Sequence, residues 1–229
     1  MEYFTKTVQN IPEYVRAEKA FKTAALPSLV TGLSHIHKAH LLTRLAYCGE
    51  GSVLVLVKSE SDGVRLVNDI NTLAGETLAM LYPAKDLLLG DVEAASGEYS
   101  HKRIDVLYKL LNGQLPLAVA TPEAASQLTV PRGTLAERCI TLRFGDTTAI
   151  SGLAEKLIKA GFTRCDQIEG VSQFSVRGSI VDIFPINSAL PVRIEFWGDD
   201  IDSINYFDLE TQRRGEHIDS VDIAPATEL

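Results

Sequence analysis

The chain has 229 residues, a net charge of −8 at pH 7 and 45% hydrophobic residues. That is enough for a sizeable core and for two compact units, while the acidic balance argues against a grip on duplex DNA, which calls for a basic face. The three cysteines, Cys48, Cys139 and Cys165, are far apart and form no C-x-x-C; this excludes a disulfide framework or a thiolate zinc site and fits reduced thiols in a cytoplasmic protein. The N-terminal "MEYFTKTVQN" has no basic-then-apolar leader pattern, and the longest apolar run, "VLVLV" at Val53 to Val57, is too short to span a bilayer.

In chain order, "EYVRAEKAFKTA" reads as a helix with Tyr14, Ala17 and Phe21 at helical spacing. "SLVTG" reads as a strand that runs into a loop. "KAHLLTRLAYCG" reads as a helix stopped by Gly49, and "SVLVLV" as a strand covered on both faces. A helix capped near Ser61 and closed at Gly75 follows, then the strand "TLAMLY", the helix "SHKRIDVLYKLLNG", the strand "PLAVA" and a short helix with Pro122 in its first turn. "RCITL" closes this unit as its last strand. Such alternation predicts an α/β unit with a mainly parallel sheet. After the helix "SGLAEKLIKAGF" the chain turns to short strands, with "GDD" at Gly198 to Asp200 as a hairpin turn. The expected boundary lies near Phe144 to Ile150. It gives an α/β domain over 1–146 and a small α+β domain with an antiparallel sheet over 147–229.

The stretch "GLSHIHKA", Gly32 to Ala39, approaches the phosphate-cradling pattern G-x-x-x-x-G-K-[ST]. It keeps the first glycine as Gly32 and the lysine as Lys38. It has His37 where the second glycine gives the backbone room, and Ala39 where a hydroxyl should hold magnesium. No apolar strand ending in Asp-Glu supplies a second metal site. The expectation is a true nucleotide-loop position that has lost its chemistry, with no catalytic residue and no cofactor in this chain. His35, His37 and His40 form H-x-H-x-x-H, but the first two are expected in a loop with no acidic or cysteine ligand beside them. Packed or solvated histidines are expected, not a metal site.

The hairpin "PVRIEFWGDDIDSINYF" is the informative segment. Strand alternation puts Val192, Ile194 and Phe196 on one face, for the core, and Arg193, Glu195 and Trp197 on the other. Arg177, in "QFSVRG", joins that polar face if the two strands lie near each other. A single tryptophan on a charged face has two readings that chemistry alone leaves open: a ring laid over an arginine stem, or a protein-binding patch. Asp199, Asp200 and Asp202 cluster at the hairpin tip as solvated turn residues.

From Lys159 to Arg213 the residues resemble the second domain of the bacterial transcription-repair coupling factor family. The shared patterns are G-[YF]-x-R-x-D-Q-[VI], G-x-F-x-x-R-G-x-[LIV]-[LIV]-D-[LIV]-[FY]-P, P-x-R-[LIV]-[DE]-[FW]-[FW]-[GD]-D-x-[IV]-[DE]-S-[IL] and F-D-x-x-[ST]-Q-R, dense over some sixty residues. "LYPAKDLL" and "LAVATPEAA" resemble stretches of the family's preceding domain. The excision-repair helicase UvrB has the same module, but with an intact phosphate loop and an aromatic-rich, DNA-clamping hairpin after "YP". Here "AKDLLLGDVEAASGEYSHKR" is short and has one tyrosine.

The resemblance implies a helicase-like first domain with a degenerate nucleotide loop (Gly32, His37, Lys38, Ala39) and a second domain that recruits the damage-recognition protein UvrA. The family's contact positions fall on Arg177, Arg193 and Trp197, with Trp197 in place of the usual phenylalanine. It also implies that this surface can be masked by a distant C-terminal domain of the parent. The chain is then expected to be a non-catalytic N-terminal fragment. The ATP- and magnesium-dependent DNA translocase of the parent, and its contacts with RNA polymerase and DNA, lie in domains outside these residues. The alternative is a nucleotide-binding, helicase-type module of a UvrB-like excision-repair protein; a DNA-binding module is a third and weaker reading.

Overall fold

A computed structural model describes residues 11–23, 27–49, 51–85 and 93–228, with the side chains of 93–96 left aside. The "MEYFTKTVQN" stretch and residues 86–92 of the segment compared with the DNA-clamping hairpin lie outside these. The chain divides into two units, one of Met1–Leu89 and Lys109–Gln127, the other of Gly90–Tyr108 and Leu128–Leu229.

The first unit holds α1 (Pro12–Lys22), α2 (His35–Cys48), β1 (Val53–Leu56), α3 (Glu60–Ala74), β2 (Ala79–Tyr82), β3 (Leu117–Ala120) and α5 (Pro122–Ser126). Helix α4 (Glu93–Leu111) is divided between the units at Tyr108 and Lys109. The strands form a parallel sheet in the order β1-β3-β2, with Val53 and Ala79 both in register with Leu117. Ala39 of α2, Leu66 and Ile70 of α3, and Leu117 and Val119 of β3 make its core, with Val53 and Val55 packed against them. Helix α3 is capped by Ser59, whose hydroxyl accepts the Asp62 N–H, and not by Ser61, because Ser59 has the extended backbone a cap requires.

Two strand expectations are corrected here. Strand β1 is not covered on both faces: as an edge strand it turns Val53 and Val55 inward and leaves Leu54 and Leu56 exposed. "SLVTG" forms no strand; Leu29 and Val30 are exposed, and no described strand lies alongside to pair with it.

The second unit holds α6 (Arg132–Arg138), β4 (Ile140–Arg143), α7 (Ile150–Lys159), β5 (Thr163–Arg164), β6 (Gln173–Arg177), β7 (Ile180–Ile183), β8 (Val192–Trp197), β9 (Asp200–Phe207), β10 (Arg214–His217) and β11 (Ser220–Ile223). Six of the strands form a sheet in the order β10-β9-β8-β7-β6-β5, antiparallel except for the two-residue β5. Strand β4 does not close the parallel sheet. It pairs antiparallel with β11, Ile140 opposite Ile223, so both strands bury their alternate side chains in the second core. The expected boundary at 146/147 falls between β4 and α7, inside this unit. The core takes Leu153 and Leu157 of α7 and one face of the large sheet: Phe174, Val181, Ile183, Val192, Ile194, Phe196 and Ile204.

Candidate functional site

Burial of Val192, Ile194 and Phe196 turns the other face of β8 outward, carrying Arg193, Glu195 and Trp197, as strand alternation requires. Strand register aligns Ser175 of β6 with Asp182 of β7, Asp182 with Arg193, and Arg193 with Asn205 of β9. A polar row therefore crosses four strands, and Arg177, two residues beyond Ser175, shares its face.

The centre of this face is Asp182. Its side chain is 2% exposed and receives both arginines. Arg193 makes a bidentate pair with it, Nε to Oδ1 at 2.7 Å and Nη2 to Oδ2 at 2.9 Å, while Arg177 Nη2 donates to Oδ2 at 2.6 Å. Arg193 also donates to the Gln212 carbonyl oxygen at 3.4 Å and to Gln212 Oε1 at 3.2 Å, and its guanidinium lies 4.5 Å from the centroid of Phe207. The hydrogen bonds that Arg193 donates to Asp182 raise its pKa further, so it is cationic at every working pH. Nearby, Ser203 donates to Glu195 at 3.0 Å, and Arg214 stands 3.7 Å from the same carboxylate.

The three expected residues thus share one face with unequal exposure. Trp197 is 81% exposed, the Arg177 side chain 48% and the Arg193 side chain 15%. Arg193 stacks on Phe207, so the arginine-ring contact considered for Trp197 is made by a different ring. Sequence reasoning passed over Asp182, Phe207 and Gln212. The signal was there: Asp182 alternates outward between the core residues Val181 and Ile183, and Phe207 and Gln212 belong to the F-D-x-x-[ST]-Q-R stretch. Asp200 of the hairpin tip accepts a hydrogen bond from Thr147 at 2.6 Å, a structural contact.

In the first unit, Gly32 has φ +80, the left-handed region that favours glycine. Helix α2 begins at His35, so His35 and His37 are helical rather than in a loop, and only Leu33 and Ser34 separate Gly32 from the helix. The Lys38 N–H donates to the Ser34 carbonyl at 3.0 Å, and Ala39 is fully buried in the core. Lys38 lines a cavity of about 570 Å³ together with His35, Val57, Lys58 and Asp62. The histidine rings do not converge on one point. His35 Nε2 stands 3.1 Å from Asp69 Oδ2, His40 meets the Tyr14 ring edge-on, and the His37 carbonyl accepts the Tyr14 hydroxyl at 3.2 Å. Among the described residues no three His, Cys, Asp or Glu side chains gather at a metal-binding distance.

Residues 140–229 match the family model of the UvrB interaction domain. The whole polar face lies within them. The chain is also similar to transcription-repair-coupling factors. It is 28% identical to that of Bacillus subtilis (strain 168) over 97% of this chain and 20% of the relative. It is 27% identical to that of Staphylococcus haemolyticus over 95% of this chain and 19% of the relative. The chain therefore spans about a fifth of the length of these relatives.

Proposed function

We propose that this chain is the recruiting part of a transcription-repair coupling factor, and that the outer face of its UvrB interaction domain binds UvrA. The observation that carries the reading is that Arg177 and Arg193 converge on Asp182 on the same face of the large sheet that carries the exposed Trp197 at the end of β8. Exposed tryptophan with fixed arginine is the usual make-up of a protein-binding hot spot. Arg177, Arg193 and Arg214 against Asp182 and Glu195 leave one positive charge in excess on this face of an acidic chain, which suits an acidic partner surface.

The first unit takes no catalytic part in this reading. Its loop is a relic of a helicase-type nucleotide site: the two-residue link between Gly32 and α2 and the buried Ala39 support that. Translocation along DNA with ATP and magnesium, and displacement of stalled RNA polymerase, belong to further domains of the parent protein in the cytoplasm. No described helix is long and apolar enough to cross a membrane. The deciding experiment is a calorimetric titration of purified UvrA into this chain, with Trp197→Ala and Arg177→Ala beside it. Saturable binding that Trp197→Ala or Arg177→Ala weakens establishes the reading; wild-type affinity in both variants, or no binding by the chain itself, overturns it.

A further inference from the structure

Arg193 and Arg177 reach one carboxylate from two strands, and residues 207–212 close around Arg193 from the far side. Phe207 lies against the guanidinium. Asp208 accepts both the N–H and the hydroxyl of Thr211 at 2.7 Å, and the Gln212 N–H returns to the Asp208 carbonyl at 2.8 Å. This turn holds Gln212 at φ +57, a left-handed backbone that a side chain-bearing residue adopts only at a cost. In that conformation both the carbonyl and the side-chain oxygen of Gln212 accept from Arg193.

Every guanidinium nitrogen of Arg193 is therefore engaged within the chain. Arg177 differs: its Nη2 is tied to Asp182, and its other nitrogens donate to nothing among the described residues. We propose that Asp182, Phe207 and Gln212 are positioning residues that clamp Arg193 as a fixed platform and, through the shared carboxylate, orient the free edge of Arg177 toward an acidic side chain of the docking partner. The proposal rests on the docking reading above and deepens it. Arg193 becomes a positioning residue, while Arg177 and Trp197 are the groups that touch. A guanidinium held by one edge presents its other edge as a planar fork matched to a carboxylate, and fixing it beforehand lowers the ordering cost of association.

The test is a calorimetric titration of purified UvrA into the wild-type chain and the Gln212→Gly, Arg177→Ala and doubly substituted variants, with thermal midpoints recorded for each. Glycine takes φ +57 freely, and this relief offsets the lost side-chain hydrogen bonds with Arg193 and the Leu209 carbonyl, so Gln212→Gly leaves the thermal midpoint close to that of the wild type. With the hydrogen bond to a charged partner lost, its affinity falls about tenfold. The double variant loses less than the sum of the two single losses, since Gln212 acts through Arg177. A merely structural Gln212 would not weaken binding at unchanged stability. Wild-type affinity in Gln212→Gly, or a loss that tracks a lowered midpoint, overturns the clamp while leaving the docking reading intact, provided Arg177→Ala or Trp197→Ala still weakens binding. If neither of those does, the docking reading falls and the clamp with it.

Discussion

Arg103 of α4 and Glu228 form an ion pair in the second unit although 125 residues separate them, with Nε 2.6 Å from Oε1. The guanidinium is 0% exposed and the carboxylate side chain 6%. A buried pair of this kind contributes little compared with an apolar replacement, but breaking it on one side leaves a charge in a medium that cannot solvate it. Glu228→Ala should therefore lower stability, measured by urea unfolding, by less than the about 3–5 kcal/mol of a fully stranded charge, because Arg103 keeps other contacts in the fold. Glu228→Gln keeps an acceptor facing Arg103 and should cost less. Equal stability of wild type and Glu228→Ala would show that the other contacts of Arg103 suffice to hold its charge.

Arg193→Ala and Trp197→Ala should separate in stability. Trp197 is 81% exposed, so its removal should change unfolding free energy by no more than about 0.5 kcal/mol. If it anchors the partner, the same change should weaken UvrA binding by about 2 kcal/mol. Arg193→Ala uncovers the buried Asp182 and removes the cation over Phe207, so it should destabilise the second unit by roughly 1–3 kcal/mol. Denaturant titration of both variants checks this. A fold untouched by Arg193→Ala would contradict the network drawn around Asp182.

How much was legible in the sequence depended on how local the deciding interaction is. The core face of β8 could be read from alternation alone, because each side chain's direction is fixed by the strand that carries it. The parallel pairing of β1, β2 and β3 followed from strand-helix alternation, because a helical crossover between strands returns the chain in the same direction. The partner of β4 could not be read, since "RCITL" is equally apolar in either sheet and β11 lies some eighty residues away. Nor could the difference between Arg177 and Arg193. Both sit on the polar face, and only the fold of the 207–212 turn decides which is enclosed.

Acid should weaken the packing of α1 on α2 through Glu18. Its carboxyl is held down to about 2 by the hydrogen bond from Lys22, then by contacts with Cys48 and Arg44, against the opposing effect of burial. Because the folded value lies below the ordinary 4.5, the stabilisation is present above 4.5 and is lost as pH falls toward 2. Helix α1 has no buried residue, and beside Glu18 its contacts with α2 run through Tyr14, which reaches the His37 carbonyl and the His40 ring. Glu18→Gln should flatten the pH dependence of unfolding of the first unit between these values, read by circular dichroism. An unchanged slope would place the acid sensitivity elsewhere.

Magnesium-ATP should give no saturable heat with this chain. A phosphate cradle needs a run of backbone N–H groups bent around the anion and a hydroxyl on the metal. Here α2 starts at His35, which leaves two residues after Gly32 to form the bend, and the Lys38 N–H already donates to the Ser34 carbonyl. Ala39 is buried among Leu66 and Ile70, where a magnesium ion has neither an oxygen ligand nor room for its water shell. The cavity beside Lys38 and Lys58 is the one feature that favours the nucleotide-binding alternative. Titration of wild type and Lys38→Ala decides between them. Flat traces in both are expected, whereas a saturable signal that Lys38→Ala abolishes would establish a working nucleotide site in the first unit.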